Sequence, residues 1–131
     1  MLASMYPLLQ SLRERMAAIE GIKTCKIGLE QGVAHDDYPI IRIVPQDFYS
    51  SGSNNWDRRK ANILIYFGAA VDESADGLES VYETLLDLET KIVDACAVKG
   101  DGWRAKYTGT ITDEDRLEIY KIMAVRIEVE G

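Results

Sequence analysis

The chain has 131 residues, 47% of them hydrophobic, with 22 acidic against 15 basic side chains and a net charge of -7. That length and apolar content suit one domain, 1–131, with its own core, and exclude a disordered polar tail. The acidic balance argues against phosphate backbones and anionic lipid as primary partners, so neither sequence-specific nucleic-acid binding nor membrane attachment is expected.

The opening MLASMYPLLQSLRERM is apolar early but has no basic n-region, and Arg13, Glu14 and Arg15 interrupt it before a secretory or membrane-spanning run can form. It is expected to belong to the fold. Met5, Leu8, Leu9, Leu12, Met16 and Ile19 recur at steps of three and four, which predicts a helix from about Ser4 to Glu20. Ser4 is placed to cap it, Pro7 sits in the first turn where a missing N–H costs little, and Gly21 can end it in the left-handed conformation.

The period then changes to two. Cys25, Ile27 and Leu29 alternate with Thr24, Lys26 and Gly28 as a first strand. Pro39-Ile40-Ile41-Arg42-Ile43-Val44-Pro45 carries aliphatic groups on both faces, so it is either a central strand or one whose outer face meets another molecule. Further on, Ile63, Ile65, Phe67 and Ala69 alternate with Asn62, Leu64, Tyr66 and Gly68 as a third strand.

Between the second and third strands lies SSGSNNWDRRK, residues 50–60. Running the third strand's parity backwards puts Arg59 on the side of Ile63, where an unpaired guanidinium under a helix would cost several kcal/mol. Arg59 is therefore expected beyond the edge of the core, on a long β2–β3 hairpin arm with a Ser/Gly/Asn tip. Two readings of the arm stand side by side. In one, Trp56 folds back as a lid and the cations pair with Asp47, Asp57 or other local acids. In the other, the arm docks on a neighbour, because Trp and Arg are favoured at binding hot spots.

A second helix follows, with Leu78, Val81, Leu85, Leu88, Ile92 and Cys96 on its apolar side and Glu79, Glu83, Asp87 and Asp94 elsewhere. Asp76 and Glu79 read as a capping-box variant and Gly100 as the stop. The outer acids of this helix are the face that three arm cations, Arg58, Arg59 and Lys60, could meet on another copy, in a head-to-tail contact able to close a ring. Two last strands, one through Trp103, Ala105 and Tyr107 and one through Met123, Val125, Ile127 and Val129, are expected to form a hairpin around the polar turn Thr112-Asp113-Glu114-Asp115. The predicted fold is α+β: a single, mostly antiparallel five-stranded sheet with two helices packed on one face.

Catalytic and metal-binding patterns are weak. His35 precedes Asp36 and Asp37, but it is the lone histidine and lacks a second nitrogen or sulfur ligand at a useful spacing. The acids at 113–115 lack the glycine and terminal glutamate of a calcium loop. Gly100-Asp101-Gly102 leaves a helix and enters a strand, the wrong direction for a phosphate cradle. Cys25 and Cys96 have no redox or metal spacing, which fits buried free thiols in a reducing, cytosolic setting. No catalytic, cofactor or metal residue is assigned.

With the elements placed, the chain resembles the bacteriophage tail terminator family, the tail completion proteins that include minor tail protein U-like members. The resemblance rests on a helix near Pro7-Leu8-Leu9, then Tyr38-Pro39-Ile40-Ile41-Arg42-Ile43, a long hairpin, an amphipathic helix and a final strand pair. It spans nearly the whole chain as element order and hydrophobic pattern, with no catalytic motif. It implies a virion structural protein, not an enzyme, assembled in the bacterial host cytoplasm without a cofactor. Its subunits would form a hexameric ring that caps the tail tube and joins it to the head. The implied partners are further copies of itself, the tail tube protein and the head–tail connector protein. By position, Tyr49, Asn54, Asn55, Trp56, Arg58, Arg59 and Lys60 would form a subunit or tail-tube interface, with Glu79, Glu83 and Asp87 as the partner face. The alternative is a small cytosolic enzyme or ligand-binding domain with a site near His35.

Overall fold

Apolar spacing of three to four residues in two segments, and of two in five others, sets the order of elements in the computed structural model. It describes residues 4–28, 39–50, 59–70, 77–97, 103–117 and 120–130. These form α1 (Tyr6–Ala17), β1 (Thr24–Ile27), β2 (Ile40–Ser50), β3 (Arg59–Ala70), α2 (Gly77–Ala97), β4 (Arg104–Leu117) and β5 (Tyr120–Glu130). The fold is α+β with one five-stranded sheet in the order β1-β2-β3-β5-β4.

The sheet is mixed but mostly antiparallel. β1 runs parallel to β2, with Thr24 opposite Ile40 and Ile27 opposite Ile43, and every other pair is antiparallel. β3 and β4 both run against β5 and so parallel to each other, which requires a crossover between them. α2 supplies it. β2 is paired on both sides from Ile40 to Ile43, so its two aliphatic faces belong to an interior strand.

α1 is shorter at both ends than its spacing predicts. Met5 occupies the cap position, and Ser4 sits one residue further out, its Oγ accepting from the Tyr6 N–H at 3.2 Å. At the other end the Ala18 N–H still reaches Glu14 O, the Ile19 N–H turns back to Met16 O, and the chain leaves through Gly21 at φ 92°. The early exit lets Ile19 and Ile22 lean on the core, which a continued helix would carry past it. In α2, Val81, Leu85, Leu88, Ile92 and Cys96 are all buried, while Glu79, Glu83, Asp87 and Asp94 are exposed. Leu29, Asp76, the Leu78 side chain and Gly100 lie outside the described residues.

Leu8, Leu12 and Met16 of α1 and Val81, Leu85 and Ile92 of α2 share one apolar cluster with Ile41, Ile43, Ile63, Ile65, Phe67, Met123, Val125 and Ile127 of the sheet. All the strand residues in that set have the same parity, so they come from one side of the sheet. The other side presents Lys26, Arg42, Leu64, Tyr66, Arg126 and Glu128. Trp103 closes the core beside α1: its Nε1–H donates to Ser11 Oγ at 3.2 Å, and the Arg15 guanidinium stacks on its ring at 4.6 Å. Arg15 Nη1 also donates to Ala95 O at 3.2 Å, so this knot ties α1, α2 and the start of β4 together.

The final hairpin is longer than predicted. Residues 112–115 do not turn; they run within β4, and Leu117 pairs with Tyr120. The register slips between Ile111, opposite Ala124, and Asp115, opposite Ile122, so an irregularity takes up the polar residues that looked like a turn. A second slip leaves Thr108 unpaired between Tyr107, opposite Ile127, and Gly109, opposite Arg126. Tyr107 has inward parity, yet it is exposed on this edge strand with its hydroxyl 2.6 Å from Thr110 Oγ1.

Candidate interaction surface

The β2–β3 hairpin changes hand where proline removes a donor. Pro45 lies opposite Ile63, and the next pair is Asp47 with Asn62, so Gln46 is the extra residue of a bulge. Proline within a sheet is found at edges and bulges, and here it stands just past the last residue paired to β1. The bulge inverts parity. Before it Ile41 and Ile43 face the core; after it Phe48, opposite Ala61, takes that side and Tyr49, opposite Lys60, takes the other.

Arg59 has the parity of Ile63 but stands beyond the buried core, with its guanidinium over the Phe48 ring at 5.2 Å. That contact answers the energetic objection to an inward arginine: the charge rests on a ring at the sheet's end instead of inside the helix layer. Tyr49 and Lys60 both converge on Glu128 of β5. The Tyr49 hydroxyl donates to Glu128 Oε2 at 2.6 Å and Lys60 Nζ lies 3.4 Å from Oε1. Asp47 completes the row, accepting from both the backbone N–H and the side-chain amide of Asn62 at 3.3 and 2.9 Å.

The long β2–β3 hairpin is paired as far as Ser50 opposite Arg59, which form the base of the predicted arm. Tyr49 and Lys60 lie within the sheet, because β5 continues alongside as far as Glu130, opposite Lys60. Asn54, Asn55, Trp56 and Arg58 lie outside the described residues, as do His35, Asp36, Asp37 and Gly100-Asp101-Gly102. On α2 the acids stand as expected: Glu79 and Glu83 are exposed, and Asp87 is exposed with Lys91 Nζ 3.2 Å away, one turn along. An exposed pair of that kind contributes little to stability and leaves the carboxylate available to a partner.

The electrostatics of the Glu128 cluster follow from its hydrogen bond. Donation from Tyr49 holds the Glu128 carboxyl below its usual range, with Lys60 and Lys106 acting in the same direction. The same bond pushes the Tyr49 phenol up from 10.0 to about 12. The contact thus stabilises the fold when Glu128 is ionised and Tyr49 protonated. It is fully present from above the ordinary carboxylate range to about pH 10, is lost as pH falls through Glu128's lowered pKa, and is lost again as pH rises through about 12. Replacing Tyr49 with Phe should cost no more than about 1 kcal/mol at neutral pH, since the site is solvent-screened. Urea unfolding at pH 7 and at progressively lower pH checks this: the difference between Tyr49→Phe and wild type should shrink as the pH falls through Glu128's lowered pKa.

Elsewhere the chemistry is quiet. Burial pushes the Cys25 and Cys96 thiols up to about 11, so both are protonated at neutral pH and neither is a poised nucleophile. The Cys25 thiol donates to Arg13 O at 3.6 Å, a structural contact between β1 and α1. Among the described residues no group of three or more His, Cys, Asp or Glu side chains could hold a metal ion, and no helix is long and apolar enough to cross a membrane. What the described surface does carry is charge, sorted by face, with exposed carboxylates along α2 and a mixed, cation-rich pattern on the far side of the sheet. Comparison with protein-family models and with the curated proteins found no match to this chain.

Proposed function

We propose that this protein is a self-assembling structural subunit of the phage tail terminator type, which forms a hexameric ring, caps the tail tube and joins it to the head. The observation that carries the reading is the line of exposed carboxylates on α2, Glu79, Glu83 and Asp87, on the opposite layer from a cation-bearing sheet face. Opposite charges on opposite sides of one subunit favour head-to-tail contacts, and such contacts close into rings when the rotation allows. The order of elements, helix, three strands, helix, two strands, is the one on which the resemblance rests. In this reading the residues from Tyr49 to Lys60 belong to the rim: Tyr49 and Lys60 fix the hairpin's base through Glu128, and the segment with Asn54, Asn55, Trp56 and Arg58 meets the tail tube or the next subunit. The partners are further copies of the chain, the tail tube protein and the head–tail connector protein. The ring works in the virion tail after assembly in the host cytoplasm, by complementary surfaces and without a reaction centre.

Polymerising tail tube protein supplies the test. Added chain should halt tube growth and appear in electron micrographs as a ring at one tube end. Tubes that keep growing, with no density at their tips, would refute the terminator role.

A further inference from the structure

Of the arm cations expected to meet the acidic face of α2, Lys60 also pairs with Glu128 and Arg59 lies over Phe48, while Arg58 is outside the described residues. A better match lies on the sheet face away from the helices. Arg104 and Lys106 are successive outward residues of β4, opposite Glu130 and Glu128. The next outward position along β4 is Gly109, which has no side chain, and the guanidinium of Arg126 lies beside it: its Nη2 is 3.7 Å from where a Cβ on Gly109 would stand. Three cationic groups therefore run in a line along one edge strand. Arg104, Lys106 and Arg126 are all exposed, and Arg104 forms an ion pair with Glu130 at 3.5 Å.

Two residues of strand advance about 6.7 Å. Four residues of helix advance about 6 Å. A cation line with the first step and a carboxylate line, Glu79, Glu83 and Asp87, with the second stay in register over three positions within the reach of long side chains. The two lines lie on opposite layers, so they cannot meet within one subunit. The α2 acids are exposed and open to an outside partner, with Asp87 paired to Lys91 at 3.2 Å.

We infer that the Arg104-Lys106-Arg126 ladder on β4 and β5 is the docking surface for the Glu79-Glu83-Asp87 strip of α2 on a second copy of this chain. The inference rests on the ring reading and names its contact. β4 is fitted to the task because its Thr108 bulge and its charged residues discourage edge-to-edge strand pairing, leaving the face as the place where a neighbour can sit. The contact is electrostatic in origin, so added salt weakens it.

Sedimentation equilibrium of the full chain at low and high salt tests it. Lys106→Glu with Arg126→Glu should weaken self-association about tenfold or more, and so should Glu79→Lys with Glu83→Lys. An equal mixture of the two variants should assemble again, because each reversed ladder then faces a reversed strip. Unchanged thermal melting of the isolated variants establishes that they fold; should either melt early, Lys106→Gln with Arg126→Gln gives a milder weakening by the same logic. If the wild type assembles and the reversals leave it unchanged, or the mixture fails to recover, the ladder is not the contact although the ring reading survives. A wild type that stays a single subunit at every concentration overturns both.

Discussion

Phe67→Ala should be the most damaging single truncation in the sheet. Phe67 is fully buried in β3, the middle strand of five, between Ile41 on β2 and Met123 on β5, which are themselves at 0% exposure. Removing the ring deletes its transfer free energy and leaves a cavity that two neighbouring strands, fixed by their ladders, cannot close. The expected loss is about 3–5 kcal/mol. Against a typical total of about 5–15 kcal/mol, that removes a large share of the stability. Differential scanning calorimetry should show a fall in melting temperature of roughly 10–20 °C for a domain of this size. A shift of only a degree or two would mean that β3 is not the centre of the core.

The second large effect is expected at Trp103→Ala. Here the lost packing is compounded by what the indole holds: Ser11 loses its donor and Arg15 the ring it stacks upon, while Ala95 O depends on that same arginine. The loss should again be about 3–5 kcal/mol. Trp103→Phe separates the parts, because it keeps most of the packing and removes only the N–H, costing about 0.5–1.5 kcal/mol. Denaturant titration of both variants checks the ratio. Equal losses would show that the hydrogen bond to Ser11, and not the packing, dominates.

How much of this was legible in sequence depends on range. α2 could be read on both faces from Glu79 to Cys96, because its apolar and acidic spacings are local and uninterrupted. β3 could be read as well: its alternation runs from Arg59 to Ala69 without a slip, so parity put Arg59 on the side of Ile63 and the cost of burying it put it beyond the core's edge, where it lies over Phe48. β2 and β4 were legible only in part, since a bulge at Gln46 and another at Thr108 each reverse the alternation, and bulges are decided by twist and pairing between strands. The polar run Thr112 to Asp115 mimicked a turn for the same reason: local composition favours one, but pairing with β5 carries the strand through.

Long-range polar contacts left no local signal. Ser11 finds Trp103 across 92 residues, and Tyr49 finds Glu128 across 79. Lys60 converges on the same carboxylate from β3, again far from it in sequence. Gly109 is the one position where sequence could have hinted at the ladder, because a glycine inside a strand marks either a bulge or a place where another group lies across the backbone. Here it is both.

The acidic line on α2 and the cationic line on the sheet make self-assembly the claim on which everything functional depends. Its most direct test is the solution mass of the unmodified chain measured over a wide range of concentration at low salt. A rise from the 14.7 kDa subunit to a closed hexamer, reversed by salt, is the predicted result. A mass fixed at 14.7 kDa up to the highest concentration would contradict it.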